Sequence, residues 1–301
     1  METDGCRGDA LSEAPGPGRA PVKPPPAAVV RYGEHPDQVA NLHLPADVTE
    51  RRPVVALLHG GFWRDRWDRT LMTPLACDIA ARGVAAWNVE YRRVGQDGGG
   101  WPGTLHDVAA AIDALATVAE VDAACVVVVG HSAGGHLALW AAARHRLPPG
   151  TPGAGPAVTP VGAVAQAGIC DLARAALEGL GGGAVEAFMG GPPEQVPDRY
   201  AAASASSLLP LRLRQLLVHG TRDEVVPLAQ SRRYAELARK AEDPVHLVEV
   251  DADHFDVIDP AHEAWTAVLD HLPLLAGFER TPGARLKADP GDRADGEAGS
   301  G

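Results

Sequence analysis

A serine held on a tight turn between a strand and a helix is exposed for nucleophilic attack, and Gly130-His131-Ser132-Ala133-Gly134 has the makings of such a turn. The pentapeptide matches G-x-S-x-G. It follows the apolar run Val126-Val127-Val128-Val129 and precedes an Ala- and Leu-rich helical stretch, the context that motif requires. So sharp a turn brings strand and helix close together, and the residues two before and two after the serine must be small. Gly130 and Gly134 are. Ser132 Oγ then stands at a helix N-terminus, where the helix dipole favours developing negative charge. The plainer reading of Ser132 is a helix N-cap; the strand–turn–helix context selects the nucleophile.

A serine hydroxyl is a weak nucleophile and needs a base, which in turn needs an orienting acid. In chains with this serine motif the acid and then the histidine follow in order. Asp223 lies in His219-Gly220-Thr221-Arg222-Asp223, past the apolar run Leu216-Leu217-Val218. His254 lies in Asp251-Ala252-Asp253-His254-Phe255, past the strand pattern at 245–250. Both positions fall at strand ends on the same edge as Ser132, where open α/β sheets bind ligands. Glu224, Asp251, Asp253 and Asp256 are rival acids.

His59-Gly60-Gly61-Phe62-Trp63 follows the strand pattern at 54–58. It resembles the H-G-G-G element that supplies oxyanion-hole donors. By that analogy the backbone N–H groups of Gly61, Phe62 and Ala133 are the candidate donors. Trp63 and Trp101 are candidate walls of a pocket for a flat substrate, whereas Trp67 reads as packing. The run Gly95-Gln96-Asp97-Gly98-Gly99-Gly100 lacks both the Lys-Ser/Thr ending of a P-loop and G-x-G-x-x-G spacing, so it reads as a flexible loop. His59, His131, His136, His219 and His254 show no H-x-x-x-H pair with a carboxylate partner, so no metal and no cofactor are expected.

These residues must be held by a regular scaffold. Short apolar runs of strand type at 54–58, 84–91, 126–129, 161–167, 216–218 and 245–250 alternate with helical patterns. The helices are expected around 71–83, 105–115, 133–144, 228–241 and 261–275, the first closed by Gly83. An early hairpin is expected from 29–32 and 38–44. Such alternation predicts an α/β fold with a mostly parallel sheet and helices on both faces. Residues 168–210, rich in Gly, Ala and Pro, break the rhythm and read as a lid-like insertion.

The chain has 301 residues, of which 22% are charged, with a formal net charge of −12. No basic stripe is present, which speaks against a nucleic-acid partner. No stretch is long and apolar enough for a membrane span. Residues 1–27 and 281–301 are rich in Pro, Gly and charge and read as disordered tails around one domain at 28–280. The N-terminus shows no secretory pattern, and the irregularly spaced Cys6, Cys77, Cys125 and Cys170 fit a reducing cytoplasm, with Cys77 and Cys125 as buried thiols. A homodimer stays open.

With these motifs in view, HGGFW and GHSAGGHLALW resemble the kynurenine formamidase (arylformamidase) branch of the α/β hydrolases. They are also similar to the bacterial feruloyl and acetyl-xylan esterase-like branch, and more distantly to hormone-sensitive-lipase-like esterases. The resemblance spans about residues 30–275, through Tyr32-Gly33, Glu90-Tyr91-Arg92, Gly100-Trp101-Pro102 and His219–Asp223. Phe62, standing where H-G-G-G has its third glycine, fits the formamidase-like pattern better than the lipase-like one. The resemblance implies the α/β-hydrolase fold, about eight strands, and cofactor-free hydrolysis of a small carboxylic ester or N-formyl amide, with N-formylkynurenine as a first candidate. The rival readings are a prolyl-oligopeptidase-like peptidase, which the HGGFW element disfavours, and a non-catalytic ligand-binding relative, which would be expected to lack a triad member.

Overall fold

A computed structural model describes residues 27–275 apart from 47 and 49. The expected tails lie almost wholly outside the described residues. Eight strands form one sheet: β1 (Ala28–Arg31), β2 (Val39–His43), β3 (Arg52–Leu58), β4 (Ala85–Val89), β5 (Val121–His131), β6 (Gly162–Gln166), β7 (Arg214–Gly220) and β8 (Val245–Val250). Their spatial order is β1-β2-β4-β3-β5-β6-β7-β8. The β1–β2 hairpin is antiparallel and joins antiparallel to β4; every other pairing is parallel. This is the α/β-hydrolase fold.

The central strands are continuous apolar runs because they are buried on both faces. Their side chains alternate between two cores. Val54, Ala56, Val126, Val128 and Leu217 face one side, with α2 (Gly103–Asp113), α3 (Ala133–Ala143) and α7 (Ala229–Lys240). Val55, Leu57, Val127, Val129 and Val218 face the other, with α1 (Thr73–Ala81) and α8 (Glu263–Leu275). Each buried Val or Leu contributes about 1.5–3 kcal/mol relative to an exposed one, so a one-residue slip in any central strand would exchange the two cores and is strongly disfavoured.

Helix α3 differs from its neighbours: all of its residues are buried. It runs beneath the insertion, whose chain folds into α4 (Leu172–Leu177), α5 (Ala184–Met189) and α6 (Pro197–Ala203). His136 and Trp140 of α3 reach the carbonyl oxygens of Ala203 and Ala202, at 2.9 and 3.2 Å. Phe188, Met189 and Tyr200 are buried against the same core. The insertion is therefore a packed layer, more ordered than its composition suggested.

The cysteines need one correction. Cys125 and Cys170 are buried thiols, but Cys77, expected to be buried, is only half-buried. It lies on the flank of α1, outside the core-facing stripe of Leu75, Ala76, Ile79 and Ala80. Among the described residues no helix is long and apolar enough to cross a membrane.

Candidate active site

Five strands deliver chemistry at their carboxyl ends: β3 leads into His59, β4 into Glu90, β5 into Ser132, β7 into Asp223 and β8 into His254. Ser132 has φ 56° and ψ −117°, a conformation non-glycine residues seldom adopt. Strain of this kind costs about 1–3 kcal/mol and persists only where the surroundings enforce it. The flanking glycines are what make the turn possible. A Cβ on Gly130 would lie 1.9 Å from the Gly134 carbonyl oxygen, and one on Gly134 would lie 2.0 Å from that of Leu58. Both approaches are impossible for any other residue.

Asp223 and His254 are brought together. His254 Nδ1 donates to Asp223 Oδ2 over 2.7 Å, and both side chains are almost completely buried. Asp223 Oδ1 accepts the N–H groups of Val225 and Val226, each at 2.8 Å. A second histidine, His219, places Nε2 3.3 Å from Asp223 Oδ2. Burial alone would push the Asp223 carboxyl up; the hydrogen bonds from His219, His254 and the backbone outweigh it and hold the group well below the ordinary carboxylate range. The rival acids point elsewhere. Asp251 and Asp256 bind Arg222, Asp253 accepts the N–H groups of Phe255 and Asp256, and Glu224 is exposed.

The glycine segment after β3 passes directly over Ser132. A Cβ on Gly60 would meet Ser132 Cβ at 3.0 Å. Gly61, Phe62 and Trp63 then take φ values of 113°, 53° and 56° in succession. Among the described residues the N–H groups of Gly61 and Phe62 pair with no other backbone group. The segment is anchored from behind by Glu90, which accepts from His59 Nε2 at 3.0 Å and from the Arg69 N–H at 2.9 Å. From the front, Phe62 packs on Gly181 of the insertion, and Arg64 donates to the Gly181 carbonyl at 2.8 Å.

Ser132 and His254 open into one cavity of about 130 Å³, walled by Gly61, Phe62, Trp67, Leu71, Val225 and Phe255 among others. A wider depression of about 630 Å³ adjoins it past His254, where Glu224, Val225, Asp253 and Phe255 form the surface. A separate apolar cavity of about 340 Å³, between α1, α8 and strands β3 and β5, is lined by none of Ser132, Asp223 and His254.

The two expected aromatic walls are elsewhere. Trp63 is fully buried and stacks on Phe188 with ring centroids 4.6 Å apart. Trp101 is half-buried against the core and donates its backbone N–H to Phe188. The run of positive φ angles turns the chain at Gly61, so Trp63 points inward and Trp67 reaches the cleft. Trp67 and Phe255, 37% and 46% exposed, face each other at its mouth with centroids 6.0 Å apart. Trp67, read from the sequence as packing, lines the cleft instead, and Phe255 was not singled out although it directly follows His254. His219 was visible as the first residue of H-G-T-R-D, and Glu90 as the first of E-Y-R. Among the described residues no group of three or more His, Cys, Asp or Glu is placed to hold a metal ion.

Comparison with known proteins adds the following. The BD-FAE family model matches residues 40–237. No curated protein matches the chain. Among solved structures, a truncated carbohydrate esterase from gut microbiota superimposes with a TM-score of 0.73 at 18% identity, covering 86% of this chain and 99% of that one. Esterase B from Lactobacillus rhamnosis gives 0.72 at 20% identity, covering 86% and 87%. The butyrate-bound esterase Est2 from Thermogutta terrifontis gives 0.66 at 24% identity, covering 85% and 96%. At these identities the likeness establishes the fold.

Proposed function

The chain belongs to the BD-FAE family, and from that premise and the site's geometry we propose that it hydrolyses short-acyl carboxylic esters through an acyl-enzyme on Ser132. The observation that carries the reading is the buried Asp223–His254 pair, 2.7 Å apart, sharing one cavity with a serine held at positive φ.

With Nδ1–H given to Asp223, the neutral His254 ring keeps its lone pair on Nε2. Ser132 Oγ attacks the ester carbonyl as Nε2 takes the hydroxyl proton, and Asp223 stabilises the imidazolium that forms. The N–H groups of Gly61, Phe62 and Ala133 receive the oxyanion, each worth about 3 kcal/mol of transition-state stabilisation. Collapse of the tetrahedral species breaks the ester C–O bond, and His254 returns the proton to the departing alcohol. Water then repeats the sequence on the acyl-enzyme and frees the acid.

The two compartments suit the two halves of an ester substrate. A cavity of about 130 Å³ has room for roughly four water-sized groups at ~30 Å³ each, which suits acetyl to butyryl. The butyrate held by Est2 in its own structure agrees with that size. The leaving group must lie on the His254 side, in the wider depression, with Trp67 and Phe255 offering it flat apolar faces. The depression's cation, Arg222, is engaged by Asp251 and Asp256, while Glu224 and Asp253 remain on its surface. A neutral aromatic or polyhydroxyl leaving group suits that lining better than a carboxylate, so an ester is favoured over N-formylkynurenine. The test is a chain-length series of p-nitrophenyl esters run beside N-formylkynurenine. The expected maximum of kcat/KM is at two to four carbons; a maximum at octanoate, or formamide turnover exceeding that of every ester, overturns the reading.

A further inference from the structure

His59 is completely buried, and both of its ring nitrogens face oxygen atoms. Nε2 lies 3.0 Å from Glu90 Oε1, and Nδ1 lies 2.8 Å from the Gly60 carbonyl oxygen. A neutral imidazole has one N–H and one lone pair, so it satisfies only one of these contacts and sets its lone pair against an oxygen at the other. The carbonyl oxygen has no proton to offer. Glu90 is held as the carboxylate: burial pushes its carboxyl up, but the hydrogen bond from His59, the charge of Arg93 and the Arg69 N–H bring it below its ordinary value. Only the doubly protonated ring fits both partners.

The surrounding charges permit it. Arg93 and Arg69 approach Glu90 at 3.3 and 3.7 Å, and Asp37 lies 3.2 Å from Arg93. Asp68 precedes Arg69, and against burial the hydrogen bonds from Thr70 hold its carboxyl below the ordinary value. Three carboxylates thus stand against Arg69, Arg93 and the ring. Tyr91 stacks on the ring with centroids 4.3 Å apart and donates its hydroxyl to the His59 carbonyl at 2.6 Å.

We propose that His59 is a standing imidazolium, clamped by Glu90, that pins the Gly60 carbonyl and thereby aims the Gly61 N–H into the cleft. The Gly60–Gly61 peptide is trans, so its C=O and N–H point in opposite directions. Fixing the oxygen on the His59 side turns the N–H toward the cavity that Gly61 lines. A cation bonded to the oxygen also polarises the same peptide and strengthens its N–H as a donor. His59 and Glu90 are positioning residues: neither touches the substrate. The catalytic part of the proposal rests on Gly61 being an oxyanion donor; the protonation state of the ring does not.

The experiment is nitrogen NMR of the ring-labelled full-length protein at neutral pH, with the His59 signal assigned by its loss in His59→Gln, run beside steady-state kinetics of Glu90→Gln. The wild type is expected to show both His59 ring nitrogens protonated. Glu90→Gln is expected to show one, with kcat down on the order of 10- to 100-fold, less than the ~10²–10³ of deleting an oxyanion donor outright, and KM within threefold. A purely structural role for Glu90 would lower the melting temperature without moving kcat apart from KM. A wild-type spectrum with one His59 nitrogen unprotonated overturns the proposal whether or not the variant folds. Wild-type kcat in a folded Glu90→Gln protein overturns the positioning role. Failure of the wild type to turn over any ester would refute the esterase reading instead, and the spectrum would still decide the state of the ring.

Discussion

His131 Nε2 donates to the backbone oxygen of His254 across 2.8 Å, so the residue before Ser132 holds the loop that carries His254. Their rings lie 4.6 Å apart. Burial, followed by the nearby His254, pushes His131 down to about 3, so it remains a neutral donor wherever the site works. Replacing it with phenylalanine keeps a ring in place and deletes the donor. Because a displacement of about 1 Å can cost ~10²-fold in rate, His131→Phe should lower kcat by roughly 10- to 100-fold and leave KM nearly unchanged. Steady-state kinetics decide it; an unaltered kcat would show that the loop is held by other contacts.

Ser132→Ala should abolish turnover, with a loss on the order of 10⁴–10⁶ in kcat, and should no longer react with a fluorophosphonate probe. Ser132→Gly should be equally inactive yet more stable than Ser132→Ala, because glycine occupies positive φ without penalty. Comparing the two melting temperatures isolates the strain from the chemistry. Labelling retained in either variant would move the nucleophile elsewhere.

Acid sensitivity follows from the buried histidines. His131 and His136 have folded values of about 3 and about 4, against an ordinary value of 6.5, because burial disfavours their charged forms. A depressed histidine binds its proton more readily when unfolded, so its neutral burial is fully tolerated above pH 6.5. Stability then declines as pH falls from 6.5 toward 3–4. Asp223, also depressed, adds its loss only below its unfolded value, near pH ~4. Unfolding free energies from denaturant titrations at pH ~7.5 and pH ~5 should therefore differ by a few kcal/mol in total, with the midpoint lower at the acid pH. His136→Gln, which keeps a donor for Ala203, should shrink the difference. Equal midpoints in the wild type would contradict the burial argument.

The exchange of Trp63 for Trp67 separates two kinds of variant. Trp67→Ala should reduce kcat/KM for aryl esters by about 2- to 12-fold relative to ethyl esters, the equivalent of ~0.5–1.5 kcal/mol of stacking, and barely alter stability. Trp63→Ala should destabilise by about 3–5 kcal/mol, as emptying a buried aromatic site does. Kinetics on paired phenyl and ethyl esters, with thermal melts of both variants, would reverse these roles if Trp63 faced substrate.

Strand and helix periodicities were legible because the central strands are buried on both faces; Ser132 and Asp223 follow such strands, and His254 follows the half-exposed edge strand β8, whose alternating Val and Leu still marked it. The side-chain direction after Gly61 was not legible. It depends on three successive positive φ angles, two of them at Phe62 and Trp63, residues with no intrinsic preference for them. The insertion's helices were obscured by their length of six or seven residues and by flanking glycines. The Glu90 anchor joins residues 31 positions apart, and local spacing has no access to such a pair.

Phe62 sits at φ 53°, an angle that suits glycine better. Its ring rests on Gly181, and Arg64, two residues on, grips the same turn. The position thus trades backbone ease for a mechanical link: whatever displaces the 168–210 layer tugs on the N–H of Phe62. A glycine there would relax the backbone and sever that linkage, leaving the acyl cavity to vary in width independently of the layer above it. Substrate breadth and backbone strain are therefore set by the same side chain, and an enzyme engineered for bulkier acyl groups at this position should gain tolerance and lose coupling in a single step.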